Sequence, residues 1–463
     1  MMNFYKLVLT LISVFVFMIL NFAHATIPLE ITKGEKFDVY YIQDERVPKF
    51  YVSIYFADGV LAEVKNKAGA TEAMFQLLTN GTKLLTQENI ASDMDQLGMS
   101  LGGTALYESS TFEFSGLMQI RKDITNYACN LLKNSTFPQN ELQKYQTQTI
   151  TEIKNLISSH SQLVERVSRQ LFYAGTPLEA SPDGSIETIK KLVPADLIKQ
   201  RDYLLRKVKK RVFIQGPKKV LDIVGILNSD CGFASNPTEM RSEISKNFNF
   251  DKIIPQLYFI PIKNANQAQI RMTKVLTREQ FLNSFEQNQL TSSLLGGSFS
   301  SMLMQEVRVK KGLTYSISAS APTQANYGRS YISTFSRNEG VVETVNTVQQ
   351  VLKDLCEGKV SDDAIENAKR FLKGSQLLSF DDTKSFLSTV SNYYHKGRTV
   401  EDMEKFPKNI ESVTKNQLME TCGKLYVKES MSIAILGDES LKQMLINSFG
   451  KDKVKIINYE NFL

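Results

Sequence analysis

One plan runs twice through this chain, and that repeat constrains the fold more than any other feature. A helix-like run containing Leu197 leads to an apolar strand that ends at Gly216. A second run of the same character, containing Leu418, leads to another apolar strand closed by Gly437. Upstream, the helix-turn pattern of 87–101 corresponds to that of 298–315, with Gly98 opposite Gly312 and Leu101 in the place of Tyr315. A duplicated unit of about 200 residues is long enough to own a hydrophobic core. The 463 residues therefore divide into two comparable halves at 26–227 and 256–463. Residues 228–255 hold Asn236-Pro237, several charges and few apolar side chains, the composition of a linker. Strand and helix patterns alternate in both halves. The expected class is α+β, each half a mostly antiparallel sheet with helices packed on one face.

Chemistry concentrates in a few stretches. Gly296 and Gly297 end one element where a Cβ would clash, and Ser298 or Ser300 can cap the next. Phe299, Met302, Leu303 and Val307 form one apolar helical face. Arg308, Lys310 and Lys311 follow in its last turn, where positive charge suits the helix dipole, and Gly312 is a natural stop. Leu313, Tyr315, Ile317 and Ala319 then alternate with polar residues as a strand does. In the first half, 37–59 reads as two strands flanking the polar turn 43–46. The helix after it presents Met74, Phe75, Leu77 and Leu78, a buried pattern.

These motifs resemble the pitrilysin/insulinase-type zinc peptidases, in particular the short-chain branch that includes the mitochondrial processing peptidase. Leu295-Gly296-Gly297, Ser300-Ser301, Leu303, Arg308, Gly312-Leu313 and Tyr315 match the signature of the family's C-terminal half. The resemblance implies that Arg308 and Tyr315 hold substrate backbone and help to stabilise an oxyanion at a zinc site built elsewhere. The plain alternative is an arginine completing a helix end and a tyrosine packed beside Ile317. The strands of 37–59 resemble the family's opening hairpin. In the family a helix with H-x-x-E-H follows, two histidines binding zinc and the glutamate serving as general base. Here the matching positions are Glu72, Phe75 and Gln76. A phenyl cannot take a proton, and an amide is a poor zinc ligand. Glu152 sits near the third ligand position, with Tyr145 where the family has an earlier glutamate; alone on an amphipathic helix, Glu152 reads as a solvated residue. The expectation is that this chain binds no metal.

The family's short chains commonly pair, one chain holding the zinc motif while the other supplies the Arg/Tyr pair. The resemblance thus implies a non-zinc-binding subunit beside a zinc-bearing paralogue, acting on peptide substrates. The competing reading is an inert pseudopeptidase that binds peptides or scaffolds an assembly. A serine nucleophile at Ser300-Ser301 is a third, but no G-x-S-x-G elbow surrounds it.

Composition narrows the setting. Only His24, His160 and His395 occur. A net charge of +6 is small for this length and does not call for nucleic acid. The basic run 201–210 reads as a solvated helix face. Residues 1–25 have the form of a cleaved secretory signal: Lys6, an apolar run over 7–20, and Ala23-His24-Ala25. That run is shorter than the ~20 residues of a membrane span, so the expected destination is the periplasm or the exterior. The widely spaced Cys129, Cys231, Cys356 and Cys422 make no metal motif; buried thiols and disulfides are both open.

Overall fold

The structure is a computed structural model that describes residues 29–237, 250, 253–281, 284–427 and 430–463. The signal segment expected at 1–25, and much of the linker expected at 228–255, lie outside the described residues.

Two six-stranded mixed sheets carry the fold. The first is built from β1 (Leu29–Thr32), β2 (Phe37–Gln43), β3 (Lys49–Phe56), β4 (Ser100–Ala105), β5 (Ser110–Leu117) and β6 (Lys210–Gly216). The second uses β7 (Leu257–Ile262), β8 (Gln267–Thr277), β9 (Ile317–Ser320), β10 (Tyr327–Arg337), β11 (Ser432–Asp438) and β12 (Val454–Ile456). Their orders are β1-β2-β6-β3-β5-β4 and β12-β7-β11-β8-β10-β9. Five of the six positions correspond one to one. In each sheet a late strand inserts beside the first strand in parallel, β6 on β2 and β11 on β7, and the remaining inner pairs are antiparallel. Only the outermost strand differs, since β1 precedes its partner in sequence and β12 follows. The repeat is thus a repeat of topology. Gly216 and Gly437 close equivalent strands, and Leu197 and Leu418 are buried on equivalent helices, Pro194–Arg206 and Lys415–Leu425.

The opening strands do not form a hairpin. β6 separates β2 from β3, pairing Val39 with Val212 on one side and Ile54 with the same residue on the other. This explains why β2 is buried almost throughout instead of alternating: an inner strand covered on both faces reads as a continuous apolar run.

The second face of each sheet is covered by a helix from the other half. Helix His160–Phe172, from the first half, packs Leu163, Val164, Val167 and Phe172 on Ile260, Ile262, Ala434 and Leu436 of the second sheet. In return, helix Thr383–His395 lays Tyr394 against Tyr40, with ring centroids 4.8 Å apart, and His395 against Tyr55 at 4.3 Å. Leu387 and Val390 of that helix belong to the first core. Helices therefore flank both faces, a refinement of the one-face expectation.

Both cysteine pairs are joined. Cys129–Cys231 ties helix Arg121–Asn134 to the end of helix Val224–Asp230, and Cys356–Cys422 ties helix Val341–Cys356 to helix Lys415–Leu425. Each half has one staple. Helices Arg121–Asn134 and Val341–Cys356 follow equivalent strands, β5 and β10, but the helices they are tied to are not equivalent. The basic run is not wholly a solvated face. Arg201 is buried and donates to the Ser135 carbonyl, and Lys210 is fully buried under the Phe233 ring, donating to the Val208 carbonyl as its one hydrogen-bond partner among the described residues. Burial pushes the Lys210 ammonium down to about 8.

A cleft over the degenerate zinc helix, and an exposed Arg/Tyr patch

Helix Ala70–Gln76 begins at Gly69, which holds φ +95°, a left-handed conformation that glycine adopts without a Cβ penalty. The Glu63 carboxylate caps it, accepting from the Gly69 amide at 2.9 Å and the Thr71 amide at 2.6 Å. Burial pushes the Glu63 carboxyl up to about 7, against the lowering effect of those hydrogen bonds. Ala70, Thr71, Ala73, Met74 and Phe75 face the core.

Glu72 and Gln76, four residues apart, share the opposite face. The Gln76 amide donates to Glu72 Oε1 at 2.8 Å, and the Ala105 amide of β4 lies 3.4 Å from Oε2. Phe75 points inward, 4% exposed, with its ring over Gly103 of β4. A Cβ at Gly103 would lie 2.1 Å from that ring. The general-base position has become core.

Glu72 and Gln76 border a cleft of about 740 Å³ whose far wall is helix Gln139–Asn155, with Tyr145 and Glu152 turned to the same space. The fold thus brings together every position that matches the family's zinc frame except Phe75. Glu152 is exposed, as expected, and accepts from Gln148 at 2.9 Å. The donor set does not fit zinc. Gln76 offers an amide already engaged with Glu72, Tyr145 is a phenol raised by burial, and two carboxylates remain where zinc takes three or four nitrogen, sulfur or carboxylate ligands. No cluster of three or more histidine, cysteine or acidic side chains among the described residues is placed to hold a metal. Asp183, Glu141 and Lys144 also line this cleft; Glu141 and Lys144 pair at 2.8 Å on helix Gln139–Asn155, and Asp183 arrives from a separate segment, so sequence pattern alone did not single them out.

Arg308 and Tyr315 are not part of this cleft, which first-half residues line. Arg308 lies on Met304–Lys310, which is a π-helix rather than the expected α-helix. Gly312 closes it at φ +62°, its amide donating to the Arg308 carbonyl. Strand β9 starts only at Ile317, so Tyr315 stands before it, 77% exposed. Phe299 departs from the expected apolar face. The helix begins beyond it, so Phe299 is 61% exposed, stacked under the Arg308 guanidinium at 5.1 Å. Leu303 and Val307 are buried as expected. Gly296 and Gly297 are the last helical residue and the cap of helix Phe285–Gly296. A Cβ on Gly296 would sit 2.3 Å from the Ala319 amide nitrogen, so close packing on β9 requires that glycine.

His160 opens its helix, and His395 stacks on Tyr55 with its Nε2 3.3 Å from Ser391 Oγ. Ser300 pairs with Ser298 and Ser301 is buried; no histidine contact is found at either. Among the described residues, no helix is long and apolar enough to cross a membrane.

Comparison with known proteins agrees with this geometry. The family profile described as Insulinase (Peptidase family M16) matches residues 38–182, and that described as Peptidase M16 inactive domain matches 212–372. A Helicobacter pylori protein named Non-peptidase homolog YmxG is 26% identical over 364 residues, covering 78% of this chain and 83% of its own. The mitochondrial-processing peptidase subunit beta of Saccharomyces cerevisiae is 18% identical, covering 84% of this chain and 86% of its own. The crystal structure of a peptidase M16 inactive domain from Pseudomonas fluorescens superimposes with a TM-score of 0.77 at 18% identity, spanning 89% of this chain and 98% of that one. With both halves matched and the zinc helix carrying Glu72, Phe75 and Gln76, the chain belongs to the insulinase-type M16 peptidase family as a member without the zinc-ligand set.

Proposed function

We propose that this chain is the non-zinc-binding subunit of a secreted or periplasmic heterodimeric metallopeptidase, whose zinc sits on a paralogous partner. The observation that carries this reading is the state of the Arg/Tyr patch. Tyr315 is 77% exposed with no hydrogen-bond partner among the described residues, and Arg308 has no ion pair there, its guanidinium resting on an exposed Phe299. An exposed tyrosine, and a guanidinium resting on an exposed phenylalanine, suit contact with another molecule. A guanidinium and a phenol near a scissile carbonyl stabilise an oxyanion without a metal of their own. The blocked base position at Phe75 means that the activated water must come from elsewhere. Paired cysteines in both halves favour an oxidising compartment, in keeping with the signal-like residues 1–25.

The competing reading, a peptide-binding pseudopeptidase, is favoured by one feature. β4 is the outer strand of its sheet, and its Ala105 amide lies 3.4 Å from Oε2 of Glu72, which borders the cleft. An extended peptide added to that strand would pass Glu72 and Gln76.

The deciding experiment measures peptidase activity and zinc content for the chain alone, for a zinc-motif paralogue alone, and for the mixture. Activity confined to the mixture is expected. Arg308→Ala, and separately Tyr315→Phe, should lower kcat by roughly 10²-fold, the scale for losing an oxyanion donor. A stable complex whose activity ignores both substitutions would favour the scaffold. Zinc bound stoichiometrically by this chain would overturn both readings.

A further inference from the structure

A second cleft, of about 480 Å³, lies where the two halves meet. It shares Leu156 and Asp183 with the lining of the acidic one. Its chemistry is opposite in sign. Arg166 is neutralised by Asp183 at 2.9 Å. The remaining guanidiniums outnumber the carboxylates. Glu165 alone serves Arg271 at 3.5 Å and Arg329 at 3.3 Å, while also accepting from the Tyr331 hydroxyl. Arg169 has no ion pair among the described residues. Its guanidinium lies 5.2 Å from the Tyr107 ring centroid and 5.9 Å from that of Tyr173. The rings hold it in place without satisfying its charge.

Arg271 shares Glu165 with Arg329 instead of holding a carboxylate of its own, its Nε facing Glu165 Oε2 at 3.5 Å. It is 4% exposed and lines the cleft, and its Nε has no hydrogen bond. Its terminal nitrogens donate to the Ile270 and Thr334 carbonyls and to Ser161 Oγ. Three guanidiniums and two carboxylates line the cleft, and Arg329 draws on Glu165 from beside it, so positive charge stands in excess and attracts an anion. A guanidinium matches a carboxylate through parallel N–H···O bonds. Around the corner, Glu72 and Glu152 have no cation partner among the described residues. The neighbouring clefts thus differ in sign, negative beside the zinc helix and positive at the junction of the halves.

We propose that the arginine cleft binds a peptide carboxylate, the terminal one in the first instance, with the preceding residues running along the acidic cleft past Glu72 and Glu152. This rests on the reading that the chain binds peptides, and it adds a direction: C-terminus at Arg169 and Arg271, basic side chains toward the zinc-helix end.

Fluorescence anisotropy with the full chain tests it. The probes are labelled decapeptides with basic residues in their middle, ending in a free acid, in an amide, or in an amide with aspartate as the last residue. The free acid should bind at least about tenfold more tightly than the plain amide, the scale of one charge-assisted contact. Arg169→Gln should remove that preference, and Arg169→Lys, which keeps the charge, should retain much of it. If the aspartyl amide matches the free acid, the carboxylate site stands with a side chain as its source. Equal binding of acid and plain amide overturns this proposal while leaving peptide binding intact. An acid preference that survives in Arg169→Gln also overturns it. Absence of binding by every peptide would sink the peptide reading together with the proposal.

Discussion

Replacing Phe75 by alanine asks whether the general-base position has been rebuilt as core. The ring is 4% exposed and packs over Gly103, in the first hydrophobic core with Met74, Leu77 and Leu78. Truncating a buried phenylalanine costs about 3–5 kcal/mol, the transfer term plus the cavity left behind. That is a large part of the 5–15 kcal/mol typical of a folded domain. At about 2–4 °C per kcal/mol for a unit of this size, the thermal midpoint should fall by roughly 6–20 °C. Gly103→Ala makes the converse error, since its Cβ would lie 2.1 Å from the phenyl ring; overpacking of this kind costs about 1–3 kcal/mol. The double variant should be less unstable than the sum, because the added methyl enters space the ring has vacated. The coupling should be about 0.5–3 kcal/mol, read from urea unfolding of the four proteins followed by circular dichroism. A Phe75→Ala loss below about 1 kcal/mol, or strictly additive effects, would show that the ring is not locked against β4 and would reopen this helix to a catalytic role.

Other expectations follow from the same structure. Both cysteine pairs should leave no free thiols in the denatured, unreduced protein. Removing either, as Cys129→Ala/Cys231→Ala or Cys356→Ala/Cys422→Ala, frees a loop of 102 or 66 residues and should cost about 4–5 kcal/mol by loop-closure entropy; four reactive thiols would refute the pairing. Glu63, raised by burial from 4.5 to about 7, binds its proton more tightly folded than unfolded. Its contribution is therefore full below about pH 4.5 and lost as the pH climbs through about 7. Glu63→Gln should flatten that part of the stability profile, measured by denaturant midpoints at pH 4.5, 6 and 7.5; an unchanged slope would assign the titration elsewhere. Lys210→Met should raise the unfolding midpoint at neutral pH, since a buried ammonium with one carbonyl partner is replaced by an apolar chain of similar volume; a drop would mean that the Val208 contact matters more than the desolvation.

The repeat was legible because Gly216 and Gly437 end equivalent strands and Leu197 and Leu418 lie in equivalent cores, so local pattern and tertiary position coincide. The insertion of β6 between β2 and β3 was not legible. It joins Val39 to Val212 across most of the first half, and periodicity reports which residues are buried but not which strand buries them. Phe299 sat at helical spacing from Met302 and Leu303, yet the helix starts after it and then widens to a π turn, so extrapolating the period placed its ring on the wrong side. The empty zinc frame was legible in residue type, since no histidine occurs near Glu72. The acidic cleft between Glu72 and Glu152 and the guanidinium cluster at Arg169, Arg271 and Arg329 depend on two helices and a second sheet meeting. An arginine three residues after another, as Arg166 and Arg169 are, marks at most one helix face in the sequence.

The crossing of helices His160–Phe172 and Thr383–His395 has a mechanical corollary. Separating the halves would expose Leu163, Val167 and Phe172 on one side and Tyr40, Tyr55 and Leu387 on the other, several apolar side chains at about 1.5–3 kcal/mol each. The two halves therefore resist separation. If such chains assemble around an enclosed space, a gate on the seam between chains would open at lower cost than one between the halves of this chain.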